Sequence, residues 1–137
     1  FQDLLFIFWQ QINPTDSGGQ FVDRGQQYST GIFYINEQQN KLAKASRKKF
    51  AESGILDKQI KTPILKAEVF YPAEDYHQDY YKKNSIRYWY YRNASGRDKY
   101  LDKIWTEKNK AQFKRIHLNL FSDEIGSKTL FSDTKVK

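Results

Sequence analysis

Apolar residues open the chain with a helical period. Leu4, Leu5, Phe8, Trp9 and Ile12 share one face, so a helix is predicted over residues 3–12, with Asp3 as its N-cap and Pro14 ending the run. The polar stretch 13–27 carries Asn13-Pro14 and Gly18-Gly19 and reads as a long loop, either functional or mobile. Ile32, Phe33, Tyr34 and Ile35 form the β-prone centre of a strand predicted over 28–35. Asn36 then caps a helix running to Ser53, with a thin apolar stripe at Leu42, Ala45 and Phe50 and with Gly54 as the residue just past its end. Residues 59–71 read as one or two strands around Pro63, which places part of them at a sheet edge or bulge. Pro72 opens a predicted helix over 73–83, and the aromatic run 86–92 reads as a short strand or a packed loop. Ser95 and Asp98 have capping-box spacing and lead a helix whose Leu101, Ile104 and Trp105 face inward. From Thr106 the periodicity weakens. Leu120-Phe121-Ser122-Asp123 recurs as Leu130-Phe131-Ser132-Asp133 with no longer repeat around it, and 106–137 is expected to be a polar basic tail or linker with little core of its own. Helix and strand alternate before it, which argues an α/β or α+β domain.

Composition narrows this picture. The 137 residues suffice for one domain and a modest core. The apolar supply is rich in rings, with 10 Tyr, 10 Phe and 3 Trp, so buried hydroxyls will need partners. No run is long and apolar enough to suggest a membrane span. The net charge of +7 is interspersed rather than blocked, so it reads as a dispersing charge, and Lys41, Lys44, Arg47, Lys48 and Lys49 as a solvated helix face. The chain has no Cys, which excludes disulfides, thiolate metal sites and thiol catalysis by these residues. It has no Met either and begins inside an apolar periodic run, so it reads as a fragment of a longer protein. No signal peptide is in view, and a cytoplasmic location is expected. His77 and His117 would need carboxylate partners to hold a metal, and no metal site is predicted.

Three ordered blocks carry a resemblance. The first is Asn13-Pro14-Thr15-Asp16, Gly18-Gly19-Gln20-Phe21 and Asp23-Arg24-Gly25-Gln26-Gln27-Tyr28; the second is Phe70-Tyr71-Pro72-Ala73-Glu74-Asp75-Tyr76-His77-Gln78-Asp79-Tyr80; the third is Ser95-Gly96-Arg97-Asp98. Together they resemble the A-class peptide-methionine sulfoxide reductases over residues 1–105, in particular the C-terminal two-thirds of such a domain. The resemblance implies a two-layer α+β sandwich with a ferredoxin-like mixed sheet, here truncated at its N-terminus by the first strand and helix. The implied activity is reduction of methionine S-sulfoxide, free or in proteins, in repair of oxidative damage. A thiolate attacks the sulfoxide sulfur, and proton donors must stand near the oxygen, which ends as water. The resulting sulfenic acid condenses with a second thiol, and thioredoxin is the reductant in the family; no cofactor is bound.

The resemblance also assigns residues. The family nucleophile lies in a Gly-Cys-Phe-Trp motif that this chain does not contain. Phe8-Trp9 follows Ile7, not Cys, and sits on the amphipathic helix, where packing explains it. Tyr28 matches the tyrosine whose hydroxyl contacts the substrate oxygen, a role suited to a phenol that stays protonated. Asp23 matches the carboxylate of the same pocket, and Gly25 lets the backbone turn beneath Tyr28. Ser29 departs from the pattern, since Arg commonly follows that Tyr, and the change removes a guanidinium with up to about five donors. Glu74 and His77, three residues apart, would share a face of a helix begun at Ala73; they either buttress the substrate loop or form an ordinary helix start. Because the thiol is absent, two other functions stand beside reduction. One is a non-catalytic binding module for Met or its sulfoxide. The other is a nucleic-acid binder using the aromatic and basic residues of 76–92, an idea the same residues' packing makes unnecessary.

Overall fold

In the first helix, α1 (Gln2–Trp9), only part of the predicted face meets the core. Leu5, Trp9 and the following Ile12 are buried, whereas Leu4 is 68% exposed. The buried indole of Trp9 donates to Ser46 Oγ at 2.9 Å, which satisfies its one polar atom. Phe1, not Asp3, is the N-cap; Asp3 lies in the first turn, where a carboxylate suits the positive end of the helix dipole. The computed structural model describes residues 1–129.

Two small sheets follow. Strands β1 (Gly19–Gln20) and β2 (Asp23–Arg24) form an antiparallel hairpin, and residues Gln26–Tyr28 wind into a 3-10 turn where the strand was predicted to begin. Strand β3 (Ile32–Tyr34) pairs in parallel with β4 (Ile64–Lys66), in register Ile32↔Ile64, Phe33↔Leu65 and Tyr34↔Lys66. Parallel strands need a crossover, and helix α2 (Glu37–Glu52) supplies it. Asn36 caps α2 as its sequence predicts, with Oδ1 accepting from Gln39 N at 2.9 Å. The buried residues of α2 are Asn40, Leu42, Ala43, Ser46 and Phe50; Ala43 replaces the predicted Ala45 among them. Lys41, Lys44, Lys48 and Lys49 are exposed, whereas Arg47, expected on the same solvated face, is half-buried and donates to Thr62 O at 3.3 Å.

The second half is helical: α3 (Tyr80–Lys83), α4 (Ser85–Ala94), α5 (Arg97–Ile104) and α6 (Glu107–Thr129). Four expectations change here. The helix predicted over 73–83 forms only in its last turn, because Asp79 takes a left-handed conformation (φ 53°) that separates it from the turns before it. The run 86–92, β-prone by residue type, is helical. Such propensities are worth at most about 0.7 kcal/mol per residue, and the Arg92–Asp98 pair (Nη2 to Oδ1 2.6 Å) fastens this helix to the next. The same pair takes Asp98 away from the capping box. Ser95 Oγ instead donates to Arg92 O at 2.7 Å and accepts from Arg97 N at 3.3 Å.

The fourth change concerns 106–137, expected to add little core. Over the described residues it is a helix that buries Phe113 and Phe121. Phe113 stacks on Phe6 (centroids 5.4 Å) and meets Phe50 and Trp105 at 4.8 and 5.1 Å. Gln112 Nε2 donates to Ser53 O at 2.8 Å, which satisfies a carbonyl at the end of α2. The Leu130-Phe131-Ser132-Asp133 echo lies outside the described residues. The architecture is α+β, an aromatic helical core carrying two short sheets.

Candidate functional site

The hairpin is built from the loop chemistry of residues 13–28. Asp16 accepts from Gly18 N at 2.9 Å and takes a two-pronged grip from Arg24, with Nη1 to Oδ2 at 2.6 Å and Nη2 to Oδ1 at 3.0 Å. Gly25 N donates to Gly18 O at 2.9 Å. Gln20, buried, clamps the end of the first helical segment: its Oε1 accepts from Asn13 N and its Nε2 donates to Asn13 O, both at 2.9 Å. Tyr100 adds its hydroxyl to Asn13 Oδ1 at 2.9 Å.

The Arg24 hydrogen bonds, then Gly18 N, hold the Asp16 carboxyl below its ordinary value. A depressed carboxyl stabilises the fold above its unfolded value of about 3.9, and that contribution is lost as pH falls through the lower folded value. The hairpin amides are therefore expected to lose their dispersed NMR shifts below about pH 3.9, before the aromatic core melts. Asp16→Asn should abolish that separate acid transition; its persistence in the variant would show that another group drives it.

This frame presents Asp23 and Tyr28. Gly25 has φ 119°, and a Cβ there would stand 2.6 Å from Gln27 Oε1, so the bend before Tyr28 is suited to glycine. Tyr28 closes the 3-10 turn, its N donating to Gly25 O at 3.1 Å and its side chain 48% exposed. Asp23 Oδ2 accepts from the hydroxyl of Tyr91, a residue of α4. Arg97, at the start of α5, lies with its guanidinium carbon 4.6 Å from the centre of the Phe21 ring and donates to Gln11 O at 2.7 Å. Burial pushes the Tyr91 phenol up to about 12, helped by the Asp23 hydrogen bond and opposed by the charge of Arg97; Tyr28 adds to the rise. Tyr91 is thus a proton-bearing donor throughout the physiological range.

Sequence reasoning named Asp23, Tyr28 and Gly25, and the fold brings them together. It did not name Tyr91 as Asp23's partner. Tyr91 lay in an aromatic run without periodicity, 68 residues away, and no local pattern marks such a pair. Arg97 was quoted within a motif but given no role. Glu74 and His77 sit elsewhere, on an exposed turn closed by His77 N to Glu74 O at 2.8 Å and Gln78 Nε2 to Ala73 O at 2.8 Å. The helix start that would have aligned them does not form, and among the described residues no hydrogen bond joins that turn to Asp23 or Tyr28. A recess of about 500 Å³ lined by Lys83, Asn84, Ser85, Ile86, Arg87 and Tyr90 touches neither residue. Among the described residues no group of three or more His, Asp or Glu could hold a metal ion, and no helix is long and apolar enough to cross a membrane.

The hairpin thus carries a carboxylate tied to one phenol, Asp23 to Tyr91, with Tyr28 exposed at the turn that follows and Arg97 against the Phe21 ring. The family described as peptide methionine sulfoxide reductase matches residues 1–109. Among curated relatives, "Peptide methionine sulfoxide reductase MsrA" of Bacillus licheniformis is 55% identical over 112 residues, covering 82% of this chain and 62% of the relative. The protein of the same name from Bacillus subtilis is 54% identical over 108 residues, covering 79% and 61%. "Peptide methionine sulfoxide reductase MsrA/MsrB" of Vibrio cholerae is 51% identical over 105 residues, covering 77% of this chain and 28% of the relative. The chain belongs to the peptide methionine sulfoxide reductase family. It spans about three-fifths of the length of the Bacillus relatives.

Proposed function

We propose that the chain supplies the oxygen-binding side of a site that reduces methionine S-sulfoxide, free or in proteins, to methionine, as part of repair of oxidative damage. The observation that carries this is the convergence of Asp23 and Tyr91 beside the turn ending in Tyr28. In this reading the Tyr28 hydroxyl donates to the sulfoxide oxygen and Asp23 orients polar partners. Gly25 makes the bend possible. The reaction needs a thiolate to attack the sulfoxide sulfur. The oxygen passes to that thiol as a sulfenic acid, methionine leaves, and a second thiol condenses with the sulfenic acid to a disulfide and water. None of the 137 residues is Cys, so both thiols would come from outside them. Thioredoxin, as the reductant that opens the disulfide, and a cytoplasmic location complete the reading.

The proposed unit is residues 1–105, with the following segment buttressing it. The parallel pair β3–β4 is proposed as part of a larger ferredoxin-like mixed sheet. Phe33 and Leu65, paired across it, are 60% and 46% exposed, an apolar face suited to a further covering layer.

The test is titration of the chain with N-acetyl-methionine S-sulfoxide methylamide, followed by NMR. Shifts are expected at Tyr28 and Asp23, with binding about tenfold weaker in Tyr28→Phe, the cost of one hydrogen bond to a polar oxygen. With dithiothreitol or thioredoxin alone the chain should give no turnover. Shifts confined to other residues would remove Tyr28 from the site, and turnover by the isolated chain would overturn the division of the thiol step.

A further inference from the structure

We infer that Tyr91 is the positioning residue of the sulfoxide site: its hydroxyl holds the Asp23 carboxylate in place, and it thereby couples helix α4 to the hairpin that presents Tyr28. The inference rests on the sulfoxide reading and deepens it.

Helix α4 has no buried residue; Ile86, Trp89 and Tyr90 are 75%, 60% and 65% exposed. A helix so lightly packed is placed by its polar ties. At its end Arg92 is held by Asp98. Toward the hairpin, the Tyr91 to Asp23 hydrogen bond is the tie, and among the described residues no other hydrogen bond joins α4 to residues 13–28. On the other side, Asp23 Oδ2 is occupied by Tyr91, whereas Oδ1 has no hydrogen-bond partner among the described residues.

This division has a chemical purpose. A carboxylate and a sulfoxide oxygen are both acceptors, and two acceptors close together repel unless a proton lies between them. A donor seated on Oδ2 draws charge away from the carboxylate and fixes its rotamer. Oδ1 is then free to take a donor brought by the substrate, such as a peptide N–H. The donor must not ionise at working pH, and the adjacent Asp23 carboxylate that it hydrogen-bonds disfavours loss of the Tyr91 proton. Arg97 packs on the same hairpin, its guanidinium carbon 4.6 Å from the centre of the Phe21 ring.

The experiment uses the whole chain in four forms: wild type, Tyr91→Phe, Asp23→Asn and the double variant, with Tyr90→Phe as control. Each is titrated with N-acetyl-methionine S-sulfoxide methylamide by NMR, and the Tyr91 phenol is titrated by ultraviolet absorbance and by its ring carbon signal. Tyr91→Phe removes one exposed-side oxygen, and its melt should match wild type within a few degrees. Binding is expected to weaken about tenfold in Tyr91→Phe and to be no weaker in the double variant than in Asp23→Asn alone. Tyr90→Phe should bind like wild type. Asp23→Asn should move the Tyr91 phenol down from about 12, a change that a merely structural tyrosine would not show. If Tyr91→Phe binds as wild type, or the two losses multiply in the double variant, or the phenol ignores Asp23→Asn, the inference fails while the sulfoxide reading stands. If wild type shows no shift with the sulfoxide, the sulfoxide reading fails and the role given to Tyr91 goes with it.

Discussion

Phe113→Ala is expected to remove much of the chain's stability, with a loss of about 3–5 kcal/mol in urea unfolding. The ring is 2% exposed and lies among Phe6, Phe50 and Trp105. Truncation removes the transfer energy of six aromatic carbons and leaves a cavity that three rings on three other segments must partly fill. Those rings are themselves braced: Phe50 packs on Trp9 at 5.5 Å and on Trp105 at 5.5 Å, so none can collapse inward freely. Single domains are stable by only about 5–15 kcal/mol, so the variant should sit near its unfolding midpoint at modest temperature. The contrasting variant is Leu118→Ala, on the outer side of the same helix at 57% exposure, where a change within about 0.5 kcal/mol is expected. Equal stability of Phe113→Ala and wild type would mean that α6 does not share the core, and the sequence expectation of a loose tail would be restored.

The second large effect is expected at the hairpin. Gly19 has φ 141°, and a Cβ there would lie 2.2 Å from the Asp23 carbonyl oxygen and 3.0 Å from Arg24 Cα. Both obstacles are backbone, so no side-chain rotation relieves them. Gly19→Ala should force apart the pairs Gly19↔Arg24 and Gln20↔Asp23 at a cost of about 3 kcal/mol. The functional loss should exceed the stability loss. Asp23 moves with its strand, the Tyr91 hydrogen bond opens, and sulfoxide binding is expected to fall below detection while the α1–α2–α6 core still melts cooperatively. Gly54→Ala is the control. It also has positive φ, 72°, but a Cβ there meets nothing within 4 Å, so it should cost only the left-handed backbone penalty of about 1–2 kcal/mol and leave binding intact. Binding preserved in Gly19→Ala would detach the hairpin from the site.

Features that depend on a few adjacent residues were legible beforehand. The Asn36 cap and the residue Gly54 past the end of α2 follow from local hydrogen bonding and backbone freedom, and both bounds held within a residue or two. The turn before Tyr28 follows in the same way, whereas the first helix, expected to run to residue 12 and stop at Pro14, already ends at Trp9. Where the signal was periodic but thin, the face differs by two positions, as with Ala43 against Ala45. Where left-handed geometry fell on a non-glycine, at Asp79, the residue type tolerates that conformation without requiring it, and a predicted helix shrank to one turn.

The sequence by itself determined the family, the glycine-bent loop that carries Asp23 and Tyr28, and the absence of any thiol among these residues. Those are matters of residue type and order, which short-range chemistry reads directly. Only the tertiary structure decided that Phe113 belongs to the core and that Tyr91 meets Asp23. Each depends on segments far apart in the chain: Phe113 packs against α1 and α2, and Tyr91 reaches across 68 residues. Neither contact has a local repeat to betray it. Burial and hydrogen bonding at such range are fixed by how whole helices pack, so the opening aromatic pattern could say that rings would be buried but not which rings, nor which phenol would find the carboxylate.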